Sequence, residues 1–391
     1  MILFNNLSAQ WVLLDPLPQE NTLESVHFID ENIGWAVGQF GTIIKTTDGG
    51  LNWNKLESGT TSYLHSVFFI DNNTGWIVGY EDGIILKTSN GGLSWNKLPV
   101  DSTSYLMSVY FMDSNLGWIV GDEGILKTTD GGNTWSSQIT TYLYSVKFSD
   151  HHIGWAVGAA GLILCTTDGG NTWNPQESGS PYNLKSIYCI DKNTVWVAGH
   201  NGTILKTSDG GLNWDPQLSP TMTGLESICF IDENYGWISG WNGIILNTTN
   251  GGIEWNSQVS GASYFLNSIQ FINRNKGWTV GNIGLILYTT NGGLTHIQNK
   301  DNIIYNFNLS QNNPNPFNPS TKINYSVPQM SFVTLNIYDI LGKEIITLVN
   351  EEKPIGNYEI NFNGNNLSSG VYFYRMRAGS FNDTKKMLLI K

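Results

Sequence analysis

Two short hairpins carry the carboxylates that could do chemistry. "GYEDG" supplies Glu81 and Asp82, and "GDEG" supplies Asp122 and Glu123, at equivalent places in successive copies of an internal repeat. The four side chains can therefore face one another. Two carboxyl groups ~5 to 9 Å apart are the machinery of a glycoside hydrolase, and a closer group could hold Ca²⁺. The same residues equally suit solvated hairpin tips that keep a surface soluble. No metal or cofactor is expected from the rest of the chain. His151 and His152 share a turn without ordered partners, and Cys165, Cys189 and Cys229 lack zinc or redox spacing and read as small apolar fillers.

Recognition has better-placed candidates. Trp241 and His200 fall on hairpin tips, and Tyr63, Tyr105, Tyr142, Tyr182 and Tyr264 recur just before the first strand of a repeat. Such rings could stack on sugars or anchor a protein partner; equally, they could cover the ends of the repeat cores. Net charge is −12 and charged residues make up 13 %, against roughly 25 % in ordinary globular proteins. With no basic stripe, nucleic acid and anionic lipid are poor partners. No apolar run approaches the ~20 residues of a membrane span. The expectation is a non-enzymatic binding or scaffold protein for a glycan or a protein, with hydrolysis by the four hairpin carboxylates as the alternative.

The elements that position these residues repeat. Gly-Trp recurs at Trp35, Trp76, Trp118, Trp155, Trp237 and Trp278, with Val195-Trp196 in the one gap, at spacings of 41, 42, 37, 41, 41 and 41. A period near 40 marks a repeat architecture. Each copy reads as four short strands, rich in β-branched and aromatic residues and separated by Gly, Asn and Asp. One such sheet has two apolar faces to bury, and neighbours around an axis cover both. The fold class is all-β: a β-propeller followed by a small β-sandwich. Trp11, Trp53, Trp95, Trp135, Trp173, Trp214 and Trp255 mark seven fourth strands, whereas the last copy has His296 in place of that Trp. The segment "QWVLLDP" should therefore supply the last fourth strand, closing seven blades.

"TTDGGNTW" occurs at 128–135 and again at 166–173, with relatives in every blade. Its acidic or amide residue, at Asp48, Asn90, Asp130, Asp168, Asp209, Asn250 and Asn291, can accept backbone N–H bonds, and the Gly pair permits positive φ. These turns resemble the Asp-box, or bacterial neuraminidase repeat, and the "GWAVG...GTIIKTTDGGLNW" units resemble the propellers of photosystem II stability and assembly factors. The resemblance spans roughly residues 11–297 and implies the fold. It does not imply sialidase activity, which needs several arginines, because Arg274 is the only arginine before residue 298. The assembly factors' basic patch also has no counterpart.

Beyond residue 297 the period stops. Residues 1–297 hold 11 basic and 25 acidic side chains, whereas 298–391 hold 9 and 7. Residues 298–310 read as a linker and 311–391 as a second domain of alternating strands. "NPNPFNPST", "DILGKEI", "SSGVYFYRM" and the final "KKMLLIK" resemble the type A C-terminal sorting domain of the type IX secretion system. The residues carrying that likeness include Asn315, Pro316, Phe317, Asn318, Pro319, Gly370, Val371 and Tyr372. The resemblance implies the secretion machinery as a partner, cleavage of the tail, and a product secreted or attached to the cell surface. Residues 1–10, "MILFNNLSAQ", read as the remnant of a signal peptide.

Overall fold

The structure is a computed structural model that describes residues 11–80, 83–100, 105–293, 307–328, 330–353, 356–379 and 381–391. The proposed signal remnant, Glu81, Asp82, His296 and most of the linker lie outside the described residues. The chain divides into two compact units, Met1–Thr295 and His296–Lys391.

The first unit contains seven four-stranded antiparallel sheets, each paired in chain order except the last. In that sheet Val12–Leu13 pairs with Ile286–Thr289, in the register Val12 to Tyr288 and Leu13 to Leu287. The first described strand thus closes the ring, as the tryptophan count predicts. Blades are numbered from the one that starts at Leu23–Phe28.

Each blade rests on the same few contacts. The Gly-Trp tryptophans are fully buried, and six of the seven stack flat on a Phe of the next blade's innermost strand, from Phe28 on Trp278 at 3.5 Å to Phe230 on Trp196 at 3.8 Å. In five of the seven the indole N–H reaches further, into the next blade's Asp-box. Trp35 donates to the Gly91 carbonyl at 3.1 Å, and Trp278 carries the pattern across the closure to Gly49 at 2.8 Å.

The Asp-box itself is a closed hydrogen-bond circuit. In the first blade Thr46 Oγ1 donates to Asp48 Oδ1 and accepts from the Gly50 amide, both at 2.9 Å, while Asp48 Oδ1 also accepts from the Asn52 amide at 2.9 Å. Gly49 and Gly50 have φ of 77° and 88°, a left-handed conformation that favours residues without Cβ. All seven circuits lie at the end of the blade where the innermost strand finishes. The hairpins between second and third strands lie at the other end.

The second unit pairs Asn308–Leu309, Ser320–Val327 and Gly356–Asn363 in one sheet, and Glu344–Lys353, Ser331–Tyr338, Gly370–Ala378 and Phe381–Leu389 in another. Ile323, Tyr325, Leu335, Tyr374 and Met387 form part of their shared core. The Asn-Pro segment is tied to the last strand: Asn315 Oδ1 accepts the Leu388 amide at 2.9 Å, and buried Phe317 exchanges backbone bonds with Leu388 and Ile390. Pro319 accepts the Gly364 amide at 2.8 Å, and the Tyr372 hydroxyl donates to the Ser368 carbonyl at 2.8 Å.

Candidate functional site

The seven innermost strands share one pattern, in which the first residue is always Leu and the third always Ser. The second position varies, with Glu alone recurring: Glu24, His65, Met107, Tyr144, Lys185, Glu226 and Asn267. The invariant Leu is buried beneath its blade, and in every blade the pairing slips between this Leu and the Ser, so the second residue and the Ser both leave the Leu face. A ring of seven side chains of six kinds results, at the end of the propeller opposite the Asp-boxes.

Two carboxylates dominate this mouth. Glu226 accepts the Trp241 indole N–H at 2.5 Å and lies 3.5 Å from both Lys185 Nζ and His200 Nε2. Burial alone would raise its carboxyl, but the nitrogens of His200, Lys185 and Trp241 outweigh it and hold the group below the usual range. Glu24 is the contrast. Its one hydrogen-bond donor is the Tyr63 hydroxyl, and burial, reinforced by the charge of Glu226, raises its carboxyl above the usual range. His65 is kept neutral at ordinary pH, because burial pushes it down to about 4, and its Nδ1 faces the Met107 carbonyl at 2.7 Å.

Aromatic rings surround both carboxylates. Tyr63 stacks on Tyr80 at 4.8 Å, and Tyr80 meets Tyr105 edge-on at 4.9 Å. Opposite, Trp241 stacks on Phe265 at 5.2 Å and leans on His200 at 5.0 Å. Between these arcs the Lys185 ammonium lies 4.0 Å from the centre of the Tyr144 ring, a cation–π contact backed by Glu226.

The structure brings some of the expected residues together and scatters others. Trp241, His200 and Tyr63 all reach the carboxylates. Tyr105 and Tyr142, each directly before an innermost strand, are more exposed at 51 % and 37 %. Tyr182 and Tyr264 fall one residue earlier in their blades, outside that register, and are exposed on the loops. Asp122 uses its carboxylate on its own blade, accepting the Tyr105 amide at 2.9 Å, and Glu123 is exposed on the adjoining turn. Glu24, Glu226 and Lys185 are the additions that hairpin-based reasoning overlooked.

Fold and tail together define a secreted or cell-surface β-propeller, for a secretion system C-terminal sorting domain matches residues 313–391. No helix among the described residues is long and apolar enough to cross a membrane. The chain belongs to the family described as photosynthesis system II assembly factor YCF48, which matches residues 4–104, 95–173, 136–225 and 217–302. Among solved structures, "YCF48 bound to D1 peptide" is 25 % identical with a TM-score of 0.62, covering 74 % of this chain and 98 % of that one. YCF48 from Cyanidioschyzon merolae is 21 % identical with a TM-score of 0.61, covering 72 % and 99 %. The WD40 β-propeller domain of Doa1, 11 % identical with a TM-score of 0.61 over 73 % and 98 %, shares the fold alone. No protein with a curated description matches this chain.

Proposed function

We propose that this exported propeller is a non-enzymatic binding protein whose mouth, opposite the Asp-boxes, receives a basic side chain of an extracellular polypeptide. One observation carries this reading: the ring formed by the second residues of the innermost strands holds two carboxylates, Glu24 and Glu226, against aromatic rings, and one lysine. Lys185 already occupies the half built from Glu226 and Tyr144. The other half, Glu24 with Tyr63 and Tyr80, has the same kinds of group and, among the described residues, no ammonium in ion-pair contact, although the charge of Lys185 reaches it. A lysine or arginine there would be held by charge and by the ring faces. The acidic balance of residues 1–297 favours the same sign of partner. That the YCF48 structure is bound to a peptide supports a polypeptide ligand.

The test uses the full chain against arrays of peptides and of glycans, with the best peptides remade with norleucine in place of lysine. Saturable peptide binding, lost with norleucine and weakened at least tenfold by Glu24→Gln or Trp241→Ala at unchanged melting temperature, supports the reading. Affinity should also fall on acidification, because a cation needs Glu24 ionised and its carboxyl lies above the usual range. Binding confined to glycans, or polysaccharide turnover abolished by Asp82→Asn or Asp122→Asn, defeats it.

A further inference from the structure

Beyond the mouth, a cavity of about 320 Å³ lies where the innermost strands converge. That is the small end of the range for ligand pockets, enough for an ion or small molecule with water. Its lining includes the recurrent serines and, one turn of the pleat further on, His27, Phe68, Lys147, Tyr188, Cys229 and Gln270. Lys147 is its only full charge. The innermost strands contain just two carboxylates, Glu24 and Glu226, and both belong to the mouth ring rather than to this lining.

Two features make the cavity a set of donors. First, Lys147 has no hydrogen-bond or carboxylate partner among the described residues; its ammonium lies 5.1 Å from the Tyr110 ring and 5.7 Å from Phe68, and the other titratable groups that feel its charge are the buried thiols Cys189 and Cys229 and the His27 imidazole, which burial pushes down to about 4. Second, the serine hydroxyls form a belt in which six of the seven, all but Ser108, accept an amide N–H from the next blade. Val67 donates to Ser25 at 3.3 Å and Ile269 to Ser227 at 3.2 Å, and Val26 closes the circle on Ser268 at 3.2 Å. An oxygen that accepts in this way keeps its own proton to give, and these hydroxyls donate to no protein acceptor among the described residues. The amide group of Gln270 is already used in both directions by the backbone of Phe28.

We propose that the central channel binds a small oxyanion, phosphate or carboxylate, held by the Lys147 ammonium and hydroxyls of the serine belt. An unpaired ammonium in a narrow channel, half-buried and partly stripped of water, is costly, and an anion with several oxygens answers both the charge and the unspent donors. Burial lowers the lysine's proton affinity in the empty channel, and a bound anion restores it.

The experiment is calorimetric titration of the full chain with inorganic phosphate and, separately, with acetate, alongside NMR of ¹³Cε-labelled lysines. One saturable site is expected, weakened at least tenfold by Lys147→Met and retained by Lys147→Arg, with the Lys147 signal titrating at higher pH when the anion is present. The stronger of the two titrations identifies phosphate or carboxylate as the preferred chemistry. Should Lys147→Met fail to fold, the Arg variant and the wild-type Lys147 signal still decide. No saturable binding of either anion, or binding that leaves the Lys147 signal unmoved, overturns the proposal. Peptide binding at the mouth is read in the same variants, so loss of one site does not pass for loss of the other.

Discussion

The two ends of the propeller use the same repeating backbone in opposite ways. At the Asp-box end, seven turns repeat both backbone and side chains, with Thr–Asp or Thr–Asn bonds of 2.8 to 3.0 Å in every copy. At the mouth, the first residue after each second strand also makes a repeated backbone bond, as from Tyr80 to the Tyr63 carbonyl at 2.8 Å and from Trp241 to that of Gly224 at 2.9 Å. The side chains there are Gln39, Tyr80, Asp122, Ala159, His200, Trp241 and Asn282. A position whose backbone repeats while its side chain wanders is held by the fold but not chosen by it. Such positions are free to be chosen by a ligand, whereas the Asp-box residues answer to the blade beside them.

The contrast breaks if tryptophans at the two ends behave alike. Trp11 is 2 % exposed, donates to Gln258 at 2.9 Å and packs edge-on against Phe271, so it fastens the closing strand. Trp11→Ala should cost ~3–5 kcal/mol in urea unfolding, the usual range for an emptied aromatic site. Trp241→Ala should stay within ~1 kcal/mol of wild type while losing the ligand, as expected for a part-exposed side chain outside the blade cores.

A smaller and sharper effect concerns the interface between the fourth and fifth blades. In six blades the innermost strand ends in Phe opposite the Gly of the second strand, as Phe28 stands opposite Gly34, where an added Cβ would come within 2.6 Å of the ring. The fifth blade has Cys189 opposite Val195, so both partners have changed together. Trp155 accordingly has no Phe from the next blade; its indole N–H has no acceptor among the described residues, but neither has that of Trp118, which does stack on Phe148, so the absent bond is separate from the exchange. Cys189→Phe alone should crowd Val195 and destabilise by ~1–3 kcal/mol, the range for overpacking. Val195→Gly alone should also destabilise, by loss of packing and of backbone restriction. The double variant should recover, with a coupling energy of ~0.5–3 kcal/mol by chemical denaturation. Additive losses would mean that the ring and the glycine are not a matched pair.

Blade count, ring closure and the turns were legible in the sequence because each is a repetition, and repetition needs no knowledge of distant contacts. Both halves of the Cys189–Val195 exchange were visible as exceptions, but only strand pairing reveals them as one event. The mouth was legible in part. Trp241, His200 and Tyr63 stand out because hairpin tips and loop ends look like binding positions. Glu24 and Glu226 sit inside "LESVHF" and "LESICF", where a polar residue in an alternating strand reads as an ordinary solvated face. What turns that face inward is the convergence of seven strands on an axis. The signal lay in aligning the copies column by column: between an invariant Leu and an invariant Ser stands a position that never settles.

The smallest expected effect tests whether the repeated end is purely structural. Asp130, Asp168 and Asp209 have carboxyls held down to about 2, chiefly by bonds from Thr134, Thr172 and Asn213 respectively. A carboxyl depressed in the folded state stabilises the fold above its unfolded value near 3.9 and loses that contribution as pH falls toward 2. The urea midpoint should therefore drop between about pH 4 and pH 2 with a slope that reflects these turns. Asn90, Asn250 and Asn291 occupy the same place without a titrating proton, and the Thr88 and Ser94 bonds show Asn90 making the equivalent circuit. Replacing these three aspartates and Asp48, whose carboxyl is also held down by its turn, by Asn should lessen that slope and leave the neutral-pH fold intact. An undiminished slope would place the acid sensitivity elsewhere, and a collapse at neutral pH would mean that the charge itself, rather than the acceptor oxygen, holds the turn.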